Sequence, residues 1–311
     1  MKYTLLTSAK VNLGLTVVGK LPDGYHEIES IFLPISIYDK LECSFNLENN
    51  TKELKVIFEN SLFEGSEIPE DSRNIVWKVV EFVEKTLGVE MGFDIKIYKR
   101  IPTKAGLGGG SGNGGGVLLS LLRFLEENRL LKQDKKELIL SSIHTIGSDI
   151  PFFLRKGGCI VRGKGEKIRE VRGLVEVLKD YTVIVVYPNF SVSTAEAYRY
   201  ISDNKLYDKH RWADEIASRI IRNQINIHNL RGLLKNTFEL FIIDRVEKIK
   251  NEFYLLGALF AMMSGSGSSV YGIFDEGLDV ERIIKKLSQR INLTNDRFFA
   301  SRFVEAPVEF I

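Results

Sequence analysis

Residues 102–117 read PTKAGLGGGSGNGGGV, and eight of the eleven residues from Gly106 to Gly116 are glycine. An alternating segment, Gly92–Lys99, precedes this stretch and predicts a strand, and an apolar segment, Val117–Leu125, follows it and predicts a helix. Without Cβ atoms, backbone N–H groups approach an anion closely, and a helix N-terminus adds free donors. The stretch therefore predicts a phosphate-binding loop, with a flexible surface linker as the alternative.

Two common nucleotide-binding loops do not match this stretch. No Lys-Ser or Lys-Thr pair closes it, as the P-loop of many nucleotide triphosphatases requires. No acidic residue ends a following strand at the distance typical of a dinucleotide-binding fingerprint. By itself the loop indicates phosphate binding and does not indicate a kinase.

Hydrophobic periodicity on both sides of the loop predicts a mixed chain of strands and helices. Before the loop we expect a helix at Asn74–Thr86 and strands at Thr4–Leu6, Val11–Val18, Ile28–Ile37, Lys40–Asn46 and Leu54–Phe58. After it we expect a helix at Asp134–Thr145, with Asp134 as its N-cap and Glu137 completing a capping box. The remaining predictions are a strand at Val183–Val186, a strand–glycine–strand segment at Leu259–Phe274, an extended tail at Phe298–Val304, and helices at Thr194–Ile201, Trp212–Ile221, Asn236–Lys250 and Val280–Arg290.

The character of the sequence changes after Gly157-Gly158, and this change predicts a domain boundary near residue 160. The two expected domains are residues 1–160 and 161–311. A length of 311 residues suits two domains of ordinary size.

Composition narrows the class of partner. The chain carries 43 basic and 41 acidic residues, for a net charge of +2, and no aromatic-basic stripe, which argues against a nucleic-acid partner. The chain has two cysteines, Cys43 and Cys159, which are too few for a fold stabilised by disulfides. We expect the protein to reside in a reducing compartment and both cysteine side chains to be buried in the fold. No apolar run approaches a signal peptide or a membrane span. We expect a cytoplasmic protein with no membrane contact that is a monomer or a homodimer.

The glycine loop resembles the second motif of the GHMP kinases, a superfamily that includes galactokinase, homoserine kinase and mevalonate kinase and has the pattern Pro-x-x-Ala-Gly-Leu-Gly. Residues 263–272, MSGSGSSVYG, resemble its third motif. Four further segments occur in order: AKVNL at 9–13, PDGYHE at 22–27, GSDIPFF at 147–153 and GKGE at 163–166. Together, over nearly the whole chain, they resemble the GHMP kinases that act on a cytidine-diphosphate-linked methylerythritol in non-mevalonate isoprenoid synthesis.

This resemblance implies an α+β, two-domain GHMP kinase fold. Its N-terminal ATP-binding domain is similar to domains of ribosomal proteins, its C-terminal domain is ferredoxin-like, and the substrate lies in the cleft between them. The implied activity is transfer of the γ-phosphoryl group of ATP to the 2-hydroxyl of the methylerythritol. ATP and Mg²⁺ are the implied cofactors, and the resemblance does not identify the metal ligands.

The resemblance also implies the catalytic residues. Asp149 accepts the proton of the hydroxyl, and Lys10 pairs with it and offsets developing charge. Read without the resemblance, Asp149 is a helix cap or a turn residue and Lys10 an exposed strand lysine.

The binding residues are implied in the same way. His26 meets the cytosine edge, Tyr25 stacks on the ring, and Tyr198 covers its opposite face. Alone, His26 is a surface turn residue and Tyr198 a core aromatic. Asn12 and Thr194 contact polar groups of the substrate. The implied ATP-binding residues are Pro102, Ala105, Gly106, Leu107, Gly108, Gly109, Gly110, Ser111 and Gly112.

The loop departs from its relatives in one respect. Relatives continue it as Ser-Ser-Asn-Ala-Ala or Ser-Ser-Asp-Ala-Ala, whereas residues 111–116 read SGNGGG. Each glycine in place of alanine costs a helix interior about 1 kcal/mol. We therefore expect this loop to be mobile without ATP.

Three other functions compete with this interpretation. Another GHMP kinase, of the homoserine or mevalonate type, is disfavoured by PDGYH, because those substrates have no base to stack. A non-catalytic nucleotide-binding regulator would have no chemical reason to hold both Lys10 and Asp149. An RNA-binding module fits the expected N-terminal fold but not the near-neutral charge.

Overall fold

The computed structural model describes residues 1–59, 67–188, 190 and 192–311. The strands in this part of the chain are β1 (Lys2–Lys20), β2 (His26–Asn46), β3 (Lys52–Phe58), β4 (Gly92–Lys99), β5 (Gly158–Gly163), β6 (Lys167–Val171), β7 (Thr182–Val186), β8 (Phe260–Met263), β9 (Val270–Phe274), β10 (Phe298–Arg302) and β11 (Val308–Phe310). The helices are α1 (Ile75–Leu87), α2 (Gly109–Glu127), α3 (Gln133–Ser142), α4 (Ile150–Phe153), α5 (Leu174–Leu178), α6 (Thr194–Asp203), α7 (Ala213–Ile221), α8 (Ile243–Leu255) and α9 (Val280–Ile291).

The long strand β2 organises the first sheet. It pairs with β1 along one edge; on the other edge it pairs with β5 through residues 28–32 and with β4 through residues 40–46, all antiparallel. β3 adds to β4 in parallel, β6 adds to β5, and β11 adds to β1. The separate strands predicted within residues 4–18 and within 28–46 are continuous, because β-bulges such as the one at Ser8/Ala9 absorb the changes in register.

Helices α1 and α2 pack on the first sheet and on each other. Val76, Val80 and Leu121 lie in one buried cluster with sheet residues such as Ile95. The predicted helix at Asn74–Thr86 is confirmed: the Asn74 side chain accepts the Val76 N–H, and the chain turns at Gly88 in the left-handed region.

The second sheet has the strand order β10-β7-β9-β8, with every pairing antiparallel. Helices lie between β7 and β8 and between β9 and β10, so the element order is βαββαβ. This order and topology are those of a ferredoxin-like unit. The predicted α+β class and ferredoxin-like C-terminal half are therefore confirmed.

The two halves interlock at the level of strands. Residue 160 lies inside β5, which pairs with β2 of the first sheet, and the C-terminal strand β11 returns to pair with β1. The chain leaves the first sheet after Val171 and enters the second at Thr182. The boundary predicted near residue 160 thus cuts a strand, because Gly157-Gly158 marks a turn into a strand and not a linker.

Helix α2 begins at Gly109, earlier than the predicted Val117. Eight of the eleven residues from Gly106 to Gly116 are therefore helical, and the loop proper ends at Gly108, which has a φ of 73°. The helical glycines leave space for neighbours: a Cβ on Gly116 would lie 2.6 Å from Leu5 Cδ1, and one on Gly115 would lie 2.8 Å from Phe153 Cβ. Close packing against the sheet and α4 accounts for these glycines.

Two further helix predictions need correction. The N-cap of α3 is Lys132, and Asp134 lies within the first turn, so the expected capping box does not form. The helix predicted at Asn236–Lys250 is divided into a 3₁₀ helix, Thr237–Phe241, and α8, which begins at Ile243. No described helix is long and apolar enough to cross a membrane. Cys43 and Cys159 are free and buried, as predicted.

Candidate active site

A pocket of about 370 Å³ opens at the N-terminus of α2. Eight of the nine predicted ATP-binding residues line it, from Pro102 to Ser111. Gly112 does not, because its N–H donates to the carbonyl of Gly108 (2.8 Å) and it packs against Phe153 in the first turn of the helix. Apolar residues from the other wall, among them Val56 and Ile75, complete a space with one apolar side and one side rich in backbone amides.

The loop directs backbone donors into this pocket. The first N–H groups of an α-helix have no acceptor within the helix, and here these groups belong to Gly109, Gly110 and Ser111. The helix dipole adds a partial positive charge at the same end. The pocket is therefore suited to the phosphates of a nucleotide, with the base on the apolar side.

The second glycine turn, residues 264–269, packs directly on the first. The Ser264 hydroxyl donates to the Gly106 carbonyl (2.8 Å), and the Ser269 N–H donates to the Ala105 carbonyl (3.1 Å). A Cβ on Gly106 would lie 2.0 Å from the Ser264 carbonyl oxygen, so only glycine permits this approach. The two glycine motifs therefore form one continuous backbone surface beside the pocket, which we call the glycine floor.

Lys10 and Asp149 meet beside this floor. Lys10 Nζ lies 3.8 Å from Asp149 Oδ2; the lysine side chain is 3% exposed and the aspartate 27%. Asp149 is at the N-cap position of α4, so the apolar residues of that helix hold it in place. Lys10 also packs against Gly108, since a Cβ there would lie 3.0 Å from Lys10 Cγ. The pair is therefore adjacent to the pocket at the N-terminus of α2, and Lys10 is not an exposed strand lysine.

Burial and charge act in opposite directions on Lys10. Burial lowers the pKa of its ammonium group, and the nearby Asp149 carboxylate opposes this by raising it. The ammonium group lies 4.5 Å from the centroid of the Phe32 ring and donates to Asn12 Oδ1 (2.7 Å). These contacts fix the position of the Lys10 head group.

Asn12 is placed differently from the prediction. It is fully buried, and its Oδ1 accepts from Lys10 Nζ and from the Gly265 N–H (2.8 Å), while its Nδ2 donates to Ser30 Oγ (2.9 Å). With protein partners on both ends, the carboxamide holds Lys10 and the second glycine turn together. The sequence places Asn12 two residues from Lys10 on one strand, but only the fold shows that this face is enclosed.

An aromatic cluster lies at the junction of the two halves. The His26 imidazole stacks on the Tyr198 ring, with centroids 4.6 Å apart and an interplanar angle of 17°. His26 Nε2 lies 2.7 Å from Ser202 Oγ, and burial, with Lys20 nearby, lowers the pKa of the imidazole. Burial and the Asp149 charge raise the pKa of Tyr198 to about 12. The cluster and Asp149 therefore share one electrostatic environment.

Tyr25 directly precedes His26 in the chain and is 63% exposed. Lys164 of the GKGE segment lies over its ring, with Nζ 4.3 Å from the centroid, and forms an ion pair with Asp23. On the other side, the exposed Thr194 contacts Ser266 of the second glycine turn, with their hydroxyl oxygens 2.8 Å apart. Tyr25, His26, Thr194 and Tyr198 thus come from both halves of the chain.

Sequence reasoning missed two lysines. Lys99 lines the pocket at the N-terminus of α2 and forms a buried ion pair with Asp39, which also accepts the N–H groups of Arg100 and Ile101 (both 2.8 Å). Its position directly before the glycine loop was an available signal. Lys164 belongs to the GKGE segment at 163–166, but its approach to Tyr25 depends on the pairing of β5 with β2.

The described residues contain no cluster of three or more His, Cys, Asp or Glu side chains that could hold a metal ion. Among the predicted ATP-binding residues that line the pocket, Ser111 at the start of α2 is the one with a side-chain hydroxyl.

Comparison with known proteins agrees with this geometry. Residues 74–157 match the GHMP kinases N terminal domain, and residues 222–293 match the GHMP kinases C terminal family. A 4-diphosphocytidyl-2-C-methyl-D-erythritol kinase of Clostridium novyi (strain NT) is 33% identical over 291 residues, covering 91% of this chain and 95% of the relative. A protein of the same name from Carboxydothermus hydrogenoformans is 33% identical over 306 residues, covering 97% and 98%.

The solved structures give the same result. The crystal structure of a 4-(cytidine 5'-diphospho)-2C-methyl-D-erythritol kinase aligns with a TM-score of 0.71 and 25% sequence identity, covering 98% of this chain and 99% of that one.

Proposed function

Because this chain belongs to the 4-diphosphocytidyl-2-C-methyl-D-erythritol kinase family of GHMP kinases, we propose that it transfers the γ-phosphoryl group of ATP to the 2-hydroxyl of 4-diphosphocytidyl-2-C-methyl-D-erythritol. The chain is an ATP-dependent phosphotransferase of isoprenoid biosynthesis. The observation that carries the proposal is the Lys10–Asp149 pair, 3.8 Å apart, beside the nucleotide pocket.

The proposed step is an in-line transfer. The substrate hydroxyl oxygen forms a bond to the γ-phosphorus, the bond from that phosphorus to the β–γ bridging oxygen breaks, and ADP leaves. The hydroxyl proton passes to the Asp149 carboxylate. Lys10, fixed by Asn12 and Phe32, offsets negative charge on the reacting oxygen. Amides of the loop and the N-terminus of α2 hold the phosphates.

The aromatic cluster is proposed to bind the cytosine. Because Nε2 of His26 contacts Ser202, Nδ1 is the ring nitrogen proposed to meet the edge of the pyrimidine, as donor or acceptor according to the tautomer, and the lowered pKa of His26 favours the neutral imidazole. Tyr25 supplies an exposed ring face, and base stacking on an aromatic contributes about 1–3 kcal/mol. One face of Tyr198 is covered by His26, so stacking on Tyr198 uses its other face or follows a movement of His26. Thr194 remains a proposed contact for polar groups of the substrate.

The remaining parts of the proposal concern the metal and the setting. Mg²⁺ enters as the MgATP complex, held mainly by the phosphates and water, with Ser111 the nearest candidate side chain. Because ATP is the co-substrate, we place the enzyme in the cytoplasm, as a monomer or homodimer that acts on a small molecule and needs no nucleic acid.

The deciding experiment is incubation with ATP, Mg²⁺ and 4-diphosphocytidyl-2-C-methyl-D-erythritol, followed by ³¹P NMR. We expect a new phosphomonoester signal together with ADP, and no such signal with D149N. Homoserine and mevalonate serve as competing acceptors. Turnover of either in preference to the cytidyl polyol would contradict the proposed substrate, and ATP binding without turnover of any acceptor would favour a non-catalytic regulator.

A further inference from the structure

The entry to the second glycine turn is held by side chains from the preceding 3₁₀ helix. Asn236 Nδ2 donates to the carbonyl oxygens of Met263 and Gly265, both at 2.8 Å. Glu239, one turn along, accepts the Met263 N–H through Oε1 (2.8 Å). Both backbone polar groups of Met263 are therefore bonded to this one short helix, and Asn236 is 2% exposed.

These contacts continue to the catalytic lysine. Gly265, whose carbonyl accepts from Asn236, donates its own N–H to Asn12 Oδ1 (2.8 Å). The same Asn12 oxygen accepts from Lys10 Nζ at 2.7 Å. Gly265 thus links the two asparagines, because its carbonyl binds Asn236 and its N–H binds Asn12. The chain of hydrogen bonds runs from Asn236 through Gly265 and Asn12 to Lys10.

We propose that Asn236 is a positioning residue for phosphoryl transfer, which sets the second glycine turn so that Asn12 holds Lys10 toward Asp149. The inference rests on the proposed function, and nothing in the sequence motifs assigned a role to Asn236. Gly265 has a φ of 57°, in the left-handed region, and it has no side chain that could hold the turn in place. The hydrogen bond from Asn236 to its carbonyl therefore helps to fix this turn.

The chemistry requires a carboxamide. Its nitrogen donates two bonds to two carbonyl oxygens, while Asn236 Oδ1 accepts the Phe238 N–H (3.0 Å) and caps the 3₁₀ helix. Serine retains an acceptor for the cap but loses the paired donors. Aspartate retains the cap but places a carboxylate oxygen against two carbonyl oxygens.

The experiment compares N236S and N236D with N226S. Asn226 caps another 3₁₀ helix, Ile227–Leu230, through the same kind of bond to Asn229 N–H (3.1 Å), and it is exposed and outside the pocket. We expect N236S and N236D to lower kcat by about 10²-fold, the effect of a misplacement of about 1 Å, with little change in KM for ATP. N226S should match the parent.

A second readout does not need activity. The NMR signal of the Lys10 ε-ammonium group should shift in N236S and stay in place in N226S, which separates failure of this inference from failure of the proposed function. If N236D does not fold, N236S decides. A folded N236S with kcat within about threefold of the parent, or with an unmoved Lys10 signal, would overturn the proposal.

Discussion

The Lys10 side chain is almost completely buried, and the groups around its head group shift its pKa in opposite directions. Burial lowers the pKa of the ammonium group, and Asp149 is the charge that raises it again. Asn12 and Phe32 contribute contacts without a net charge. Asp149 is therefore the charge that opposes the lowering of the Lys10 pKa by burial.

Replacing Asp149 by asparagine removes that carboxylate and keeps the shape. We expect the pKa of Lys10, already below 10.5, to fall further in D149N because only the lowering effect of burial remains. NMR titration of the Lys10 ammonium group measures it. The exposed Asp180 gives a control, D180N, in which the pKa of Lys10 should not move. A higher pKa of Lys10 in D149N would contradict this account.

At the scale of elements, α2 combines a binding end with a packing face. Gly109 and Gly110 stand at the mouth of the pocket, whereas Gly112, Gly115 and Gly116 are buried against the sheet and α4. The predicted mobility of the first turn without ATP stays a prediction. The buried glycines have a separate role, which substitution to alanine isolates.

We expect G116A to destabilise the fold. Its new Cβ would lie 2.6 Å from both Leu5 Cδ1 and Thr7 Cγ2, and overpacking of this kind costs about 1–3 kcal/mol. In G110A, the nearest atom, Ile75 Cγ2, is 3.9 Å away, so the better helix propensity of alanine should leave stability unchanged or raised. Urea unfolding compares the two. Equal free energies of unfolding for both variants would contradict the expected destabilisation of G116A, because the sheet side chains would then have moved to accept the new methyl group.

For the whole molecule, the two sheets are joined by a shared core. One buried cluster contains Val11 and Leu13 of β1 together with Trp212 and Ile216 of the C-terminal half. Glu29 of β2, which is fully buried, accepts the Trp212 N–H (2.8 Å) and pairs with Arg162 (2.7 Å). The site itself draws on both halves, so its geometry depends on their docking.

We therefore expect residues 1–160 not to fold alone. This fragment loses part of β5, all of β6 and β11, and the Trp212 side of the shared core. Circular dichroism and urea titration should show no cooperative transition in the fragment, and a single one in the full chain. A cooperative transition of the isolated fragment would contradict the interlocked arrangement.

The sequence alone determined the parts of this protein that depend on local chemistry. The glycine-rich segment and the helix at Asn74–Thr86 followed from residue pattern, because turns, caps and amphipathic faces are set by near neighbours. The α+β class and the choice of Lys10 and Asp149 followed from the motifs that carry the family resemblance. The structure confirms the helix and the α+β class, and it places Lys10 Nζ 3.8 Å from Asp149 Oδ2.

Only the tertiary structure decided the rest. The burial of Asn12, the start of α2 at Gly109, the continuation of β5 through residue 160 and the clamp of Asn236 on Gly265 all depend on residues distant along the chain. A periodicity reports which face of an element is apolar but not which other element covers it. Contacts between distant strands and turns arise from packing, and packing is a property of the assembled chain.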